Sequence, residues 1–415
     1  MPLSYPLPKR WRLRECSRLD AGTVAALVSI KGVACIAAKG SPDSPDTKST
    51  RAMASTHGRF LFVDGLRGCA ALSVAMFHIG NRFSGLEFLN YAELGVAVFF
   101  VISGFVISHS LINQAVTGAF FASFALKRSL RLDPAYWVAI AMAIVVVWVP
   151  GVLLNYDVRL PSLSDVVLHL FYLQGIFGVG QINIVFWTLC YEVQFYLVFC
   201  LVLYLMRKAI GYRLTFNITA SIFSLLLLIS LLWPLGVFTS AFRGSFFVNL
   251  WYLFLLGAFA RWAYESRFAA IVLFFTIFVL LSRLFAGGDA DLHLLAGSVT
   301  AVLLFIAISK NKMQQWLNWV WVQYLGRISY SLYLVHDIIG LYVRDTGIHI
   351  SHKYFGLSSL AISYCWCVAA LAASIFAANI LYKYVERPSH SLSRKLDIRS
   401  VKVGIASMLN YARGR

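Results

Sequence analysis

From Phe60 onward, apolar blocks alternate with short polar interruptions. Each block holds roughly 20 residues, the length at which a helix rising ~1.5 Å per residue crosses a hydrocarbon core of ~30 Å. About ten blocks can be drawn, near 60–80, 93–113, 133–153, 184–206, 214–233, 244–263, 268–286, 291–309, 322–343 and 358–382, with ends fixed to within several residues. The pattern predicts an all-α, polytopic integral membrane protein with about ten transmembrane helices. No repeat of fixed period is visible, and no soluble catalytic domain follows the last block. Chemistry in this chain is therefore expected from the membrane helices and their loops.

Charge gives the blocks a direction. With the N-terminus in the cytoplasm, Lys127, Arg128, Arg131, Arg207, Lys208, Arg213, Arg261, Arg267, Lys310 and Lys312 fall in inside loops. The tail adds Lys383, Arg387, Arg394, Lys395, Arg399 and Lys402 on the same side, while the outside loops hold about half as many basic residues as the inside ones. An even number of spans with both termini cytoplasmic satisfies the positive-inside rule. Residues 1–58 differ in character: a basic cluster (Lys9, Arg10, Arg12, Arg14, Arg18) and a polar run through Ser41, Pro42, Asp43 and Ser44 predict a disordered N-terminal extension. Lys31 interrupts the weakly apolar part of that extension, which argues against a signal peptide. Met53, just ahead of the first block, is a second candidate start. The expected division is an extension over 1–58, a membrane domain over 59–388 and a basic cytoplasmic tail over 389–415.

Composition agrees with lipid as the main solvent. Of the 415 residues, 60% are hydrophobic and 13% charged, about half the charged fraction of a soluble domain. The net charge of +18 is spread over short loops and the two ends, with no soluble domain to present it to nucleic acid. It fits topology signals and anionic-lipid contacts, so membrane lipid is an expected partner and nucleic acid is not. The seven cysteines are odd in number and lack paired CxxC spacing, so they are expected to be packing residues. No metal site with credible ligand spacing is present.

Against this apolar background a few ionisable residues stand out. Arg67 and His78 occupy the first block, FLFVDGLRGCAALSVAMFHIG, where an ionisable group costs several kcal/mol unless it is paired or faces a cavity. Eleven steps along a helix return the two to nearly one face, about 16 Å apart. One face thus carries a fixed cation and a titratable imidazole, suited to anion binding and general base work. A snorkelling Arg with an interfacial His is the competing reading. Glu192, within FWTLCYEVQFYLVF, shares its helical stripe with Thr188 and Tyr196. It suits either orientation of His78 or a base of its own, against a purely structural salt bridge to Arg67. In FALKRSLRLDPAYW, Arg128 and Arg131 stand three residues apart in a loop just before the third block, placed for the phosphates of a nucleotide-bearing donor or simply for topology. LGRISYSLYLVHDI puts His336 and Asp337 deep in the ninth block with Ser329, Ser331 and Tyr333, lining a cavity or bonding helices together. The longest outside loop, about 154–183, holds Tyr156, Asp157, His169, Tyr172 and Gln174, facing an external substrate or only the interface.

Taken in order, VDGLRGCAALSVAMFH, GVAVFFVISGFVIS, RSLRLDPAYW, FWTLCYEVQFYL, LGRISYSLYLVH and VERP at Val385 to Pro388 resemble the membrane-bound acyltransferase 3 family, which includes sugar O-acyltransferases of exopolysaccharide, O-antigen and Nod-factor modification. The resemblance covers Phe60 to about Pro388. It implies that Arg67 and His78 are the family's Arg-x10-His pair, essential for transfer, that Arg128 and Arg131 are its donor-binding R-x-x-R element, and that Glu192 is the Glu of its W-x4-E segment. Asp64 opens the first motif and is placed to pair with Arg67; Trp187, Tyr196 and His336 are expected with it around the cavity. Asp337 stands where many members carry a different residue, and its role stays open. The short tail has no room for the esterase-like domain appended in some members, which points to direct transfer.

The resulting expectation is an O-acyltransferase of the bacterial inner (plasma) membrane. It would move an acyl group, acetyl foremost, from acyl-CoA as co-substrate to a hydroxyl of a carbohydrate or glycolipid, with no permanently bound cofactor. His78 assisted by Glu192 is the expected catalytic pair. A transporter or lipid-linked sugar flippase is the alternative, since intramembrane His, Glu and Arg also mark transport paths; the missing internal symmetry weighs against it.

Overall fold

The computed structural model describes residues 60–111, 114, 116–155, 157–211, 215–238, 247–285 and 292–395. The N-terminal extension with Cys16, Cys35 and Met53, and the tail beyond residue 395, lie outside the described residues. Within them the elements are helices: α1 (Leu61–Gly80), α2 (Gly95–Leu111), α3 (Gly118–Leu154), α4 (Leu163–Leu170), α5 (Trp187–Ile210), α6 (Phe216–Leu231), α7 (Trp251–Trp262), α8 (Arg267–Phe285), α9 (Leu292–Ser309), α10 (Val320–Phe355), α11 (Leu360–Leu381) and α12 (Arg387–Lys395). The described cysteines are free.

Among the described residues, seven helical segments are long and apolar enough to cross a bilayer, the architecture of an integral membrane protein. The three remaining expected spans fall on α6, α7 and α10. Helix α6 is apolar but short. Helix α7 has only 12 residues, all buried, so at ~1.5 Å per residue it covers about 18 Å. Protein rather than lipid surrounds it, so its ends can stop short of the headgroups. The Ser230 hydroxyl donates to Val248 O at 2.6 Å and accepts from Tyr252 N at 2.7 Å, satisfying the start of α7. Helix α10 escapes a hydropathy criterion because its inner face is polar.

Two helices overrun their predicted blocks. Helix α3 begins at Gly118, with Thr117 as N-cap accepting from Phe120 N at 3.2 Å. It continues through Arg128, Arg131 and Pro134, so the R-x-x-R element lies on a helix and not in a loop. Arg and Leu are good helix formers, and charge ends a hydropathy window without ending a helix. Pro134 sits inside α3 and removes one backbone bond; nearby, Tyr330 OH donates to Leu132 O at 3.0 Å. Helix α10 runs 36 residues, about 54 Å, well past a ~30 Å core.

Two buried clusters organise the bundle. One joins the start of α1 with α2, α5, α6, α7, α8 and α9; the other joins the rest of α1, α3, the start of α5, α10 and α11. Helix α1 lies along α10 at backbone distance: a Cβ on Gly68 would sit 2.5 Å from Gly326 N, and one on Gly326 would sit 2.3 Å from Asp64 O. Such contact between small residues is how helices associate where lipid gives no hydrophobic drive. It brings the His78 face of α1 against the polar face of α10. After α11 a π turn, Tyr382–Glu386, precedes α12, with Arg387 N bonded to Tyr382 O. Pro388 cannot donate to a regular helix there, and the wider turn absorbs the mismatch.

Candidate active site

His78 is in the last turn of α1, with its side chain 21% exposed, and its Nδ1 lies 3.3 Å from Asp337 Oδ1. Asn183 Nδ2 donates to the other carboxylate oxygen at 2.7 Å. Asp337 thus faces the imidazole on one oxygen and is fixed on the other, which leaves His78 Nε2 for a reacting group. The His336 ring is 5.2 Å from the His78 ring, centre to centre. His336 Nδ1 donates to Leu332 O at 3.1 Å, so its Nε2 is an acceptor, and it is buried without a hydrogen-bond partner among the described residues.

A second polar group lies deeper, around a cavity of about 40 Å³ whose walls include Arg67, Ser103, Thr188, Glu192, Tyr330 and Tyr333. Glu192 Oε1 accepts from Ser103 Oγ at 2.8 Å and from Tyr196 OH. The Arg128 guanidinium lies over the Tyr196 ring, 4.3 Å from its centre, a cation–π contact that keeps the charge available. Arg131 and Arg67 both lie within electrostatic range of Glu386. The π turn delivers that carboxylate into the bundle, where Ser331 Oγ donates to Glu386 Oε2 at 2.6 Å. Three arginines from α1 and α3 thus converge around two carboxylates.

The two groups are connected. Thr188 Oγ1 and Tyr333 OH are 2.7 Å apart on the cavity wall, and the Tyr333 ring stands 5.7 Å from the His336 ring. A line of polar side chains therefore runs from Arg67 and Glu192, through Tyr333 and His336, to His78 and Asp337. By helix rise its ends are about 16 Å apart.

Of the residues singled out from sequence, Arg67, Glu192, Arg128, Arg131 and Tyr196 come together at the deeper end, and His78 and His336 at the other. Trp187 is half-buried and packs edge-on to Phe100, a cavity residue, and to Tyr191. Asp64 packs at the Gly326 contact. The expected pairing of Glu192 with His78 is replaced by Asp337 with His78. Asn183, Ser103, Tyr330 and Glu386 also belong to the site and were not assigned roles from sequence. Asp337 had a signal, an acid inside a span; Asn183 had none, since an Asn ending a loop is ordinary.

The long loop is tied inward. Tyr172 OH donates to Asp133 Oδ1 at 3.0 Å and Gln174 Nε2 to Tyr136 OH at 3.2 Å. His169 is buried, with Nδ1 2.7 Å from Asp165 O, and accepts from Ile182 N at Nε2, 3.0 Å away. Burial holds its pKa below the ordinary value. These bonds place Asn183 at the loop's end beside Asp337; Tyr156 lies outside the described residues. No group of three His, Cys, Asp or Glu able to hold a metal occurs among the described residues.

The family model of an acyltransferase domain, acyltransferase 3, matches residues 60–379. The chain belongs to the acyltransferase 3 family. Among curated proteins, this family member is 28% identical over 155 residues to nodulation protein 10 of Rhizobium leguminosarum bv. viciae, covering 32% of the chain and 39% of the relative. It is 24% identical over 366 residues to O-acetyltransferase OatA of Staphylococcus aureus (strain NCTC 8325 / PS 47), covering 79% of the chain and 56% of the relative. The chain thus spans between about two fifths and a little over half the length of these relatives. No solved structure matches it.

Proposed function

We propose that this acyltransferase moves a short acyl group, acetyl foremost, from acyl-CoA to a hydroxyl of a carbohydrate or glycolipid at the bacterial inner membrane. The observation that carries the reading is the His78–Asp337 pair at one end of a polar line whose other end gathers Arg67, Arg128 and Arg131. Arginine suits the phosphates of a coenzyme. The relatives called O-acetyltransferase support acetyl as the group moved, and the nodulation relative is compatible with it.

In this mechanism His78 Nε2 takes the proton of the acceptor hydroxyl while that oxygen attacks the thioester carbonyl. Asp337 stabilises the imidazolium that forms, as a carboxylate does in other His-based acyl transfers. The tetrahedral centre collapses, the C–S bond breaks, and the coenzyme thiolate recovers the proton from His78. The products are an ester and the free thiol. Arg67 and Glu192 border the path of the thioester arm, with Ser103 and Tyr196 holding the Glu192 carboxylate in place.

The test is the ester-linked acyl content of surface polysaccharide, by NMR before and after mild base, from cells expressing the intact protein or His78→Ala. Loss of the acetyl signal in the variant, with equal protein in the membrane, is expected. Identical spectra would sink the assignment to that acceptor.

A further inference from the structure

Helix α10 continues well beyond the level of His78, and its outer end forms a cleft with the following loop. Asp345, His349 and His352 recur at helical spacing and so share one stripe. They face Ser358, Ser359 and Ser363 across a space of about 360 Å³. The cleft walls are pinned. Trp366 Nε1 donates to Ser351 Oγ at 2.9 Å, Leu357 N donates to Ser351 O at 3.0 Å, and Ser359 caps α11. The cleft is also tied to His78: Asp345 Oδ1 accepts from Arg344 Nε at 2.7 Å, and Arg344 Nη1 donates to His78 O at 3.2 Å.

We propose that this cleft is a distal acceptor subsite, binding further sugar units of an uncharged, chain-like polyhydroxylated acceptor whose reacting unit lies at His78. The inference rests on the acyl-transfer reading above and adds the acceptor's form to it. The lining contains no Lys or Arg, and the Arg344 guanidinium beside it is already engaged by the Asp345 carboxylate, so the cleft offers a phosphate or carboxylate no fixed cation of its own. A neutral polyol instead offers O–H donors to the carboxylate and imidazoles and oxygen acceptors to the serines. Ile348, Leu357 and Ile362, also in the walls, suit the C–H faces of a sugar ring. Asp345 and the two histidines form no metal-holding group. At ~1.5 Å per residue, Asp345 to His352 lie about 12 to 22 Å beyond Asp337 along α10. That is more than one pyranose ring covers, so the unit at His78 and the unit in the cleft are different members of one chain.

The probe is surface polysaccharide from cells expressing the protein, stripped of esters by mild base and used whole or after acid hydrolysis to monosaccharides. Transfer from radiolabelled acetyl-CoA is measured for the intact protein, His349→Ala and the cleft-filling His352→Trp. Both histidines are exposed, so neither change disturbs the core. The ratio of kcat/KM for polymer to kcat/KM for monosaccharide is expected to drop roughly tenfold in each variant, the loss of one or two polar contacts. An unchanged ratio in both variants, with the intact protein active on polymer, overturns the subsite and leaves the acyl-transfer reading standing. Absence of transfer by the intact protein to either probe overturns the acyl-transfer reading for this acceptor, and the subsite with it.

Discussion

Arg344 holds the end of the helix that carries His78. Its Nη1 donates to the carbonyl oxygens of His78 at 3.2 Å and Ile79 at 2.7 Å, groups that a helix C-terminus leaves without partners of its own. The side chain is buried, ion-paired to Asp345 and stacked over Phe83, and a cation there also complements the helix dipole. Replacing Arg344 by Met removes both bonds, stripping His78 O of this donor and leaving Ile79 O only the weak Cys367 Sγ donor at 3.7 Å, at a cost of about 1–3 kcal/mol. We expect a lower melting temperature for Arg344→Met in detergent, with partial recovery for Arg344→Lys. A variant that melts with the intact protein would show that water or another donor replaces the guanidinium.

Helices α2 and α7 meet through glycine. A Cβ on Gly104 would lie 1.7 Å from Phe254 O, and one on Gly257 would lie 1.8 Å from Val101 O. Both obstacles are backbone, so neither yields by a rotamer change, and overpacking of this kind costs about 3 kcal/mol or more. Gly104→Ala and Gly257→Ala are each expected to lower the amount of folded protein recovered from membranes severalfold. Gly180→Ala, with open space around it, should leave the yield unchanged.

Much of this arrangement is legible in the chain, for physical reasons that also set its limits. Apolar blocks give the helices because lipid penalises any unsatisfied backbone, and the same penalty makes Arg67, His78, Glu192 and His336 conspicuous. Helix lengths are less legible. The Arg128 and Arg131 stretch ends an apolar block yet stays helical in α3, and α7 is short because protein surrounds it. Partnerships between helices are the least legible. Asp337 and Glu192 are equally acidic and equally intramembrane, and only the Gly68–Gly326 contact of α1 with α10 decides which one meets His78. Arg344 carries no signal in the sequence, and only its bonds to the end of α1 reveal its part.

His169 gives the outer loop a pH dependence. It accepts a bond from Ile182 N and so is bound in its neutral form, and burial lowers its pKa in the folded state. A histidine with a depressed folded pKa contributes stability that is present above its unfolded pKa, ~6.5. That contribution is lost as pH falls toward the folded value. Hydrogen exchange at the Ile182 amide, corrected for the intrinsic rate, should therefore accelerate below about pH 6.5. Protection that stays constant down to pH 5 would mean that His169 does not govern the loop.

The partners of His78 and Glu192 separate two roles by kinetics. Asp337 faces His78 at 3.3 Å and is held by Asn183, so Asp337→Asn removes the charge that stabilises the imidazolium while keeping the side chain's shape. A fall in kcat of ~10²- to ~10⁴-fold is expected, with the KM for acetyl-CoA little changed because the arginines proposed to hold the donor lie at the other end of the polar line. Glu192 is bonded to Ser103 and Tyr196 and lies near Arg67. Glu192→Gln keeps an acceptor for those hydroxyls, so its main effect should be on the KM for acetyl-CoA, with less than about tenfold loss in kcat. Initial rates of acetyl transfer at varied acetyl-CoA decide between them. If Glu192→Gln lowers kcat more than Asp337→Asn does, the base is oriented through Glu192, and the contact at 3.3 Å is structural.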